Sequence, residues 1–185
     1  MRIIAGRHRG RALEAPKGAT VRPTSERARE AVFDILAHGR FGEGPVYEDA
    51  RVIDLFAGTG AMGLEALSRG ARFATFIERD AAARAALSRT IAKFGETARA
   101  KVIAADAVKP PRGTPCALAF VDPPYGEELE ASALAALAAA GWLAPGALVV
   151  LELAARADFT PPEGFTLLDE RHYGAARILF LRYGT

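Results

Sequence analysis

Asp122, Pro123, Pro124 and Tyr125 follow the apolar run Ala117 to Val121 and put a carboxylate, a conformationally fixed turn and an aromatic face in four consecutive positions. That set suits methylation of a planar amino group. An amino nitrogen on a nucleobase is a poor nucleophile because its lone pair is delocalised into the ring. A carboxylate and a backbone carbonyl that accept its two N–H hydrogens favour a pyramidal nitrogen, whose lone pair can then aim at an electrophilic carbon. Asp122 supplies the first acceptor. Proline has no N–H and fixes φ at about −65°, so Pro123 and Pro124 form a rigid turn in which one carbonyl can face the site. Tyr125 offers a face on which a base can stack. The plainer reading of the same residues is a strand-ending turn with an aromatic plug.

A second motif lies upstream. Val52 to Phe56 reads as a short buried strand, Ala57-Gly58-Thr59-Gly60-Ala61-Met62-Gly63 as a glycine turn, and Leu64 to Leu67 as the start of a helix. Glycines let a ligand approach the main chain closely, and N–H groups at a helix start attract electron-rich atoms. The spacing Gly58-x-Gly60-x-x-Gly63, with Glu78 about 20 residues beyond its first glycine, also fits the dinucleotide fingerprint. A nicotinamide-dependent oxidoreductase is therefore a competing reading.

Acids at successive strand ends favour the other cofactor. Asp54 lies inside the strand before the turn, where it could receive an ammonium but would repel a pyrophosphate. Glu78 ends Phe73 to Ile77 and suits ribose hydroxyls, Asp106 ends Val102 to Ala105 and suits an adenine amino group, and Asp122 ends the next strand. Ligands of open α/β sheets bind outside the carboxyl ends of the strands. S-adenosylmethionine has an amino acid part, a ribose and an adenine to meet these acids in turn, and its positive sulfonium makes a carboxylate-rich site tolerable. For a single acid such as Asp106, a helix cap or solvated turn is the competing reading.

Together with Met1 to Gly6, Arg22-Pro23-Thr24 running into Arg27 to Phe33, and Leu64 to Ala71, these motifs resemble the RsmD-type bacterial methyltransferases from Met1 to about Tyr183. The glycine turn and Asp-Pro-Pro-Tyr are shared by many amino methyltransferases; the amino-terminal segment points to this family. The resemblance implies transfer of a methyl from S-adenosylmethionine to the exocyclic N2 of one guanine of 16S ribosomal RNA, the guanine-966 type of reaction. It implies that Asp54, Gly58 and Gly60 line the methionine end of the cofactor, Glu78 takes the ribose and Asp106 the adenine, with Phe56, Ala57, Thr59, Arg79 and Ala107 alongside. Asp122 and the Pro123 carbonyl would hold the guanine amino group, Pro124 would stiffen the turn and Tyr125 would stack on the base. Some relatives have Phe at the Tyr125 position and Ser at the Thr59 position, exchanges that keep both roles. Arg22 and Thr24 would lie beside the site and contact RNA. The expected partner is 16S rRNA within a partly assembled small subunit, and the expected form is a monomer.

Composition narrows the alternatives. The chain has 185 residues, half of them apolar, which suits a single domain that buries about 70% of its unfolded surface. Cys116 is the sole cysteine, so a disulfide framework or cysteine metal cluster within one chain is excluded. It is expected as a small buried hydrophobe. His8, His38 and His172 lack ligand spacing, and no metal site is expected. No segment has signal-peptide or membrane-span character, so the expectation is a cytoplasmic protein.

Net charge is +2, yet residues 1–40 hold nine Lys or Arg against four acids and carry +5. Segregation of this kind suggests a basic patch offered to phosphates. Arg2 to Ala5 and Arg11 to Glu14 alternate as a hairpin would, which puts Arg7, Arg9 and Arg11 near an exposed tip expected to contact RNA. A solvated turn is the bland alternative there.

The supporting elements follow from periodicity. Thr24 or Ser25 caps a helix to about Ala37, with Ala28, Val32, Ile35 and Leu36 on its apolar face. Beyond a linker at residues 40–50, strand-length apolar runs alternate with helical patterns, predicting a mostly parallel doubly wound sheet of the Rossmann-like class I methyltransferase kind. Asp80 to Phe94 and Leu129 to Leu143 read as helices, Ala147 to Leu153 as a central strand, and Phe165 to His172 with Ala175 to Arg182 as a closing antiparallel pair. The division expected is an RNA-facing hairpin and helix over residues 1–40 and a cofactor-binding core over 51–185 in one domain. Amino methyltransferases acting on DNA adenine or cytosine, or on protein glutamine, also fit Asp-Pro-Pro-Tyr. A chain this short leaves little room for a separate DNA-reading domain.

Overall fold

The computed structural model describes residues 1–15, 26–38 and 41–184. Seven strands form one sheet: β1 (Arg51–Leu55), β2 (Phe73–Glu78), β3 (Ala100–Ala104), β4 (Cys116–Val121), β5 (Leu143–Ala154), β6 (Phe165–Tyr173) and β7 (Ala176–Tyr183). Their order is β3-β2-β1-β4-β5-β7-β6. The first five run parallel, and β7 is antiparallel to both neighbours. This is the expected Rossmann-like class I methyltransferase fold with its terminal antiparallel pair.

Four helices, α1 (Glu26–Ala37), α2 (Ala61–Ser68), α3 (Ala81–Phe94) and α4 (Glu130–Ala139), cover the sheet unequally. Side chains alternate between faces along a strand. Val52, Phe76, Phe120 and Val150 accordingly pack with Val32 and Phe33 of α1, Leu64 of α2 and Leu87 of α3 on one face. Ile53, Ile77, Ala119 and Val149 point the other way, onto Leu134 and Leu137 of α4 and onto Trp142. The apolar face of α1 includes Phe33, which is buried, whereas the expected Ile35 is only half-buried. The expected cap at Thr24 or Ser25 lies outside the described residues.

Local chemistry sets the helix ends. Asp80 caps α3 by accepting the Ala83 N–H at 2.7 Å, satisfying a donor that the first turn leaves open. The fourth helix stops at Ala139, four residues before the expected Leu143. A turn through Gly141 closes it, with the Trp142 N–H bonded to the Leu137 carbonyl at 3.0 Å. Leu143 then pairs with Cys116 as part of β5, and Pro145-Gly146 is absorbed where the register shifts between Cys116 and Leu118.

The amino-terminal hairpin is reduced to one antiparallel bridge, Arg2 with Ala12. Its two limbs pack Ile3 and Leu13 into the core. Gly6 makes this docking possible: at φ 79° it lies so close to α2 that a Cβ would be 2.0 Å from the Ser68 carbonyl oxygen. Glu65, fully buried on α2, accepts the N–H groups of Ile4 at 2.8 Å and Ala5 at 2.9 Å. No described helix is long and apolar enough to cross a membrane.

Candidate active site

Register brings the acids together. Leu55 pairs with Val121 and Val121 with Leu151, so Asp122 and Glu152 are the next residues on adjacent parallel strands. Two-residue alternation from Val52, Phe76, Phe120 and Val150 carries Asp54, Glu78, Asp122 and Glu152 onto the same face of the sheet, at its carboxyl edge. An open cavity of about 1600 Å³ lies there. Its walls include Phe56, Glu78, Arg79 and Ala107 on one side, Asp122 to Tyr125 and Glu152 at the centre, and Arg27, Ala28 and the β6–β7 turn from His172 to Ala176 around the mouth.

The glycine turn is shaped from beneath by Asp54. Its carboxylate is 4% exposed and accepts the Gly63 N–H at 2.9 Å, so Asp54 supports the turn from outside the cavity lining. Burial, with a contribution from the Glu78 charge, pushes its pKa up to about 7 against the opposing effect of the Gly63 N–H. Gly60 has φ 73°, and a Cβ there would come within 2.4 Å of Leu87 Cδ1. Phe56, at the cavity wall, holds a φ of 61° that is unusual for a residue with a side chain. Thr59 is nearly buried, and Ala57 is buried. Glu78 accepts the Gly58 N–H at 2.8 Å and the Asp80 N–H at 2.8 Å, tying the turn to the end of β2.

Asp122 is exposed to the open cavity, with protein crowded around the rest of its side chain. Desolvation raises its pKa well above the ordinary carboxylate value, and the charges of Glu152 and Asp54 raise it further. Its exposure to solvent screens part of this effect. Tyr125 donates its hydroxyl to Glu152 Oε1 at 3.0 Å, which fixes the ring beside Asp122. Asp54 and Asp122 form no salt bridge among the described residues. A carboxylate-rich cavity of this kind fits a cationic ligand, and it repels a pyrophosphate.

Other expected residues are placed differently. Asp106 is exposed and closes a turn by accepting the Val108 N–H at 3.0 Å, while its neighbour Ala107 lines the cavity. Arg22 and Thr24 lie outside the described residues. Arg7, Arg9 and Arg11 do not form a free tip. Helices α2 and α3 run from the cavity edge back across the sheet, and the turn docks on their far ends. Arg7 donates to the Leu67 carbonyl at 3.1 Å. Arg11 donates to the Lys93 carbonyl and lies 4.2 Å over the Phe94 ring. Arg7 and Arg9 are exposed, and among the described residues the Arg9 side chain alone of the three makes no hydrogen bond or ion pair. The reason is His8, which is buried between Phe94 and Glu96 and pulls the turn onto the body. Cys116 is buried, and burial pushes its thiol up to about 11, as befits an inert small hydrophobe. No group of three or more His, Cys, Asp or Glu among the described residues could hold a metal ion.

Glu152 is the residue that the sequence reading missed. It interrupts the apolar run Ala147 to Leu153 at the carboxyl end of a strand, the same signal that singled out the other acids. Arg27 and the His172 to Ala176 turn carried no comparable signal, since only the chain's return path brings them to the mouth.

Residues 1–182 match the family described as Conserved hypothetical protein 95. Ribosomal RNA small subunit methyltransferase D of Escherichia coli (strain K12) is 42% identical over 154 residues, 82% of this chain and 74% of the relative. The protein of the same name from Haemophilus influenzae (strain ATCC 51907 / DSM 11121 / KW20 / Rd) is 34% identical over 179 residues, covering 94% and 89%. A solved methyltransferase from Escherichia coli, yhhF, superposes with a TM-score of 0.86 at 37% identity, covering 100% of this chain and 98% of that one.

Proposed function

The chain belongs to this family, the RsmD-type methyltransferases, and we propose that it transfers a methyl group to the exocyclic N2 of a guanine in 16S rRNA, the guanine-966 type of reaction. The observation that carries this reading is the pair Asp122 and Glu152, on adjacent strands in the cavity wall, with Tyr125 bonded to Glu152 in the same wall. S-adenosylmethionine is the cofactor; when bound it supplies an electrophilic methyl on sulfur and leaves as the neutral thioether. Its cationic end suits the glycine turn at Gly58 and Gly60 with the Asp54 carboxylate behind it, its ribose suits Glu78, and its adenine suits the wall at Ala107 with Asp106 beside that wall.

The chain's own residues do the rest by positioning, which can supply about 7–11 kcal/mol of a barrier. Asp122 and the Pro123 carbonyl accept the two amino hydrogens and turn the nitrogen lone pair out of the base plane. Tyr125 stacks on the ring. The methylated nitrogen is acidic, and its proton leaves to Asp122 or to water. RNA presents the base unstacked, since side chains read the edges of single-stranded bases. The whole chain acts as a single cytoplasmic domain and as a monomer, on 16S rRNA within a partly assembled small subunit. The turn at Arg9, Arg22 and Thr24 belong to the RNA-contacting side of residues 1–40, and residues 51–185 form the catalytic core.

The test is nucleoside mass analysis of 16S rRNA from small-subunit particles incubated with the protein and S-adenosylmethionine. N2-methylguanosine is the expected product. N6-methyladenosine, or no modified rRNA, would overturn the reading. Heating the protein with each cofactor separates the competing class, since selective binding to the native state raises Tm: S-adenosylmethionine is expected to do so and NAD is not.

A further inference from the structure

Two acids stand at the cavity floor, and methylation of an amino group requires one. Asp122 suffices to accept from the amino group, leaving a second carboxylate on the neighbouring strand to be explained. Resting on the proposed guanine reaction, we infer that Glu152 accepts the N1–H of the target guanine and is the residue that distinguishes guanine from other amino-bearing bases.

Three observations lead there. The pairing of Val121 with Leu151 makes Asp122 and Glu152 lateral neighbours, and both line the cavity. Neighbouring strands are about 4.8 Å apart, so carboxylates at the same level of both can converge on one base edge. The Tyr125 hydroxyl bonds to Glu152 Oε1 at 3.0 Å, so the expected stacking face and this carboxylate are positioned as one unit. The two acids also sense each other, since the Glu152 charge contributes to the raised pKa of Asp122.

The base edges decide the ligand. Guanine presents N1–H and the N2 amino group next to each other, two donors in a row, which two neighbouring carboxylates can accept together. Adenine sets its amino group beside N1, and cytosine beside N3; both of those ring nitrogens are acceptors. Either would bring a lone pair against the Glu152 carboxylate, which can only accept when ionised. A buried acceptor opposed by another acceptor loses its hydrogen bond and keeps its desolvation cost. Sites built around a hydrogen-bond donor of the substrate reject analogues lacking it strongly. A carboxylate offers about four lone-pair positions, so Glu152 can accept from the base while keeping the bond from Tyr125 and its other contacts.

2-Aminopurine is the discriminating probe. It keeps the 2-amino group but has a bare N1 acceptor in place of N1–H. Small-subunit particles are reconstituted with ligated 16S rRNA carrying guanine or 2-aminopurine at the methylated position, and kcat/KM is measured for each. The wild-type protein should prefer guanine by roughly 10- to 100-fold, the range expected for one hydrogen bond to a charged group. E152Q turns one oxygen into an N–H₂ donor that can meet the bare N1, so its preference should collapse or invert. Comparable wild-type rates on the two particles overturn the inference without any variant. A uniform fall on both particles in E152Q also overturns it, because that is what loss of Tyr125 positioning alone would give. Y125F supplies the control: it removes the hydroxyl link and should leave the guanine preference in place. Methylation of neither particle by the wild-type protein would instead sink the guanine reaction itself.

Discussion

Carboxylates whose titration the fold shifts occur at both ends of this molecule, and their surroundings are opposite. Under the amino-terminal arm, Glu65 is met by Arg69 at 2.8 Å, by Arg29 at 3.7 Å and by two backbone N–H groups. Burial pushes the nearby Glu96 carboxyl up, but hydrogen bonds from His8 and Arg99 and the charges of Arg99 and Arg7 outweigh it and hold the pKa below its ordinary value. At the carboxyl edge of the sheet, Asp54 and Asp122 are raised instead, by desolvation and by each other's neighbourhood of acids. Acids that the protein neutralises itself are structural. Under the proposed reaction, acids that no described cation pairs with are held in readiness for the positive cofactor.

The sharpest way to break this contrast is Glu65→Ala. Removing one partner of a fully buried pair leaves Arg29 uncompensated, a loss of about 3–5 kcal/mol. Urea unfolding should show it, with the chemistry of the cavity unaltered in whatever protein remains folded. A result within error of the wild type would mean that the arm is not held by this cluster.

The pH dependence at Asp54 should be nearly as large. Its pKa is raised from an ordinary 3.8 to about 7 on folding, so between those values the folded state binds a proton that the unfolded state does not. The stability contribution is therefore present below about pH 4, is lost progressively as pH rises, and levels off above about 7. One pKa unit corresponds to about 1.4 kcal/mol. Asp54→Asn should flatten that slope in denaturant titrations across this window. A bound cation favours the ionised carboxylate, so cofactor affinity should rise with pH over the same interval.

Asp122→Ala sharpens the comparison from the other side. Loss of one preorganised electrostatic group costs about 100- to 1000-fold in kcat, while the cofactor-induced rise in Tm should survive. The ligand-free variant should also melt higher than the wild type, because a raised acid has been removed from among like charges. The smallest effect is expected at the opposite end. Arg9→Ala should lower the salt slope of RNA binding by about 1 if that side chain meets a phosphate. An unchanged slope would make the turn purely structural.

The catalytic edge was legible because its signals are local. A strand, a glycine turn and an acid at a strand end are each written in a few consecutive residues, and the parallel register then fixes which acids meet. Glu152 obeyed the same rule and was passed over inside an apolar run. The arm's docking was not legible because it depends on long-range partners. A run such as Arg7, Arg9 and Arg11 states charge but not that His8 turns inward or that Lys93 and Leu67 offer carbonyls 60 and more residues away. Part of the basic excess of residues 1–40 is absorbed by acids elsewhere in the chain: Arg29 is fully buried beside Glu65, and Arg7 pairs with Glu96. Charge counted along a chain therefore overstates the charge a surface presents.

One crystal structure tests the central claim most directly: the protein bound to S-adenosylhomocysteine, the product that retains the sulfur. The sulfur should lie in the cavity between the glycine turn and the Asp122 carboxylate, with Tyr125 and Glu152 on the far side of the space left for the base. A sulfur facing the arm, or one screened from Asp122 by the glycine turn, would contradict the assignment of these acids to catalysis.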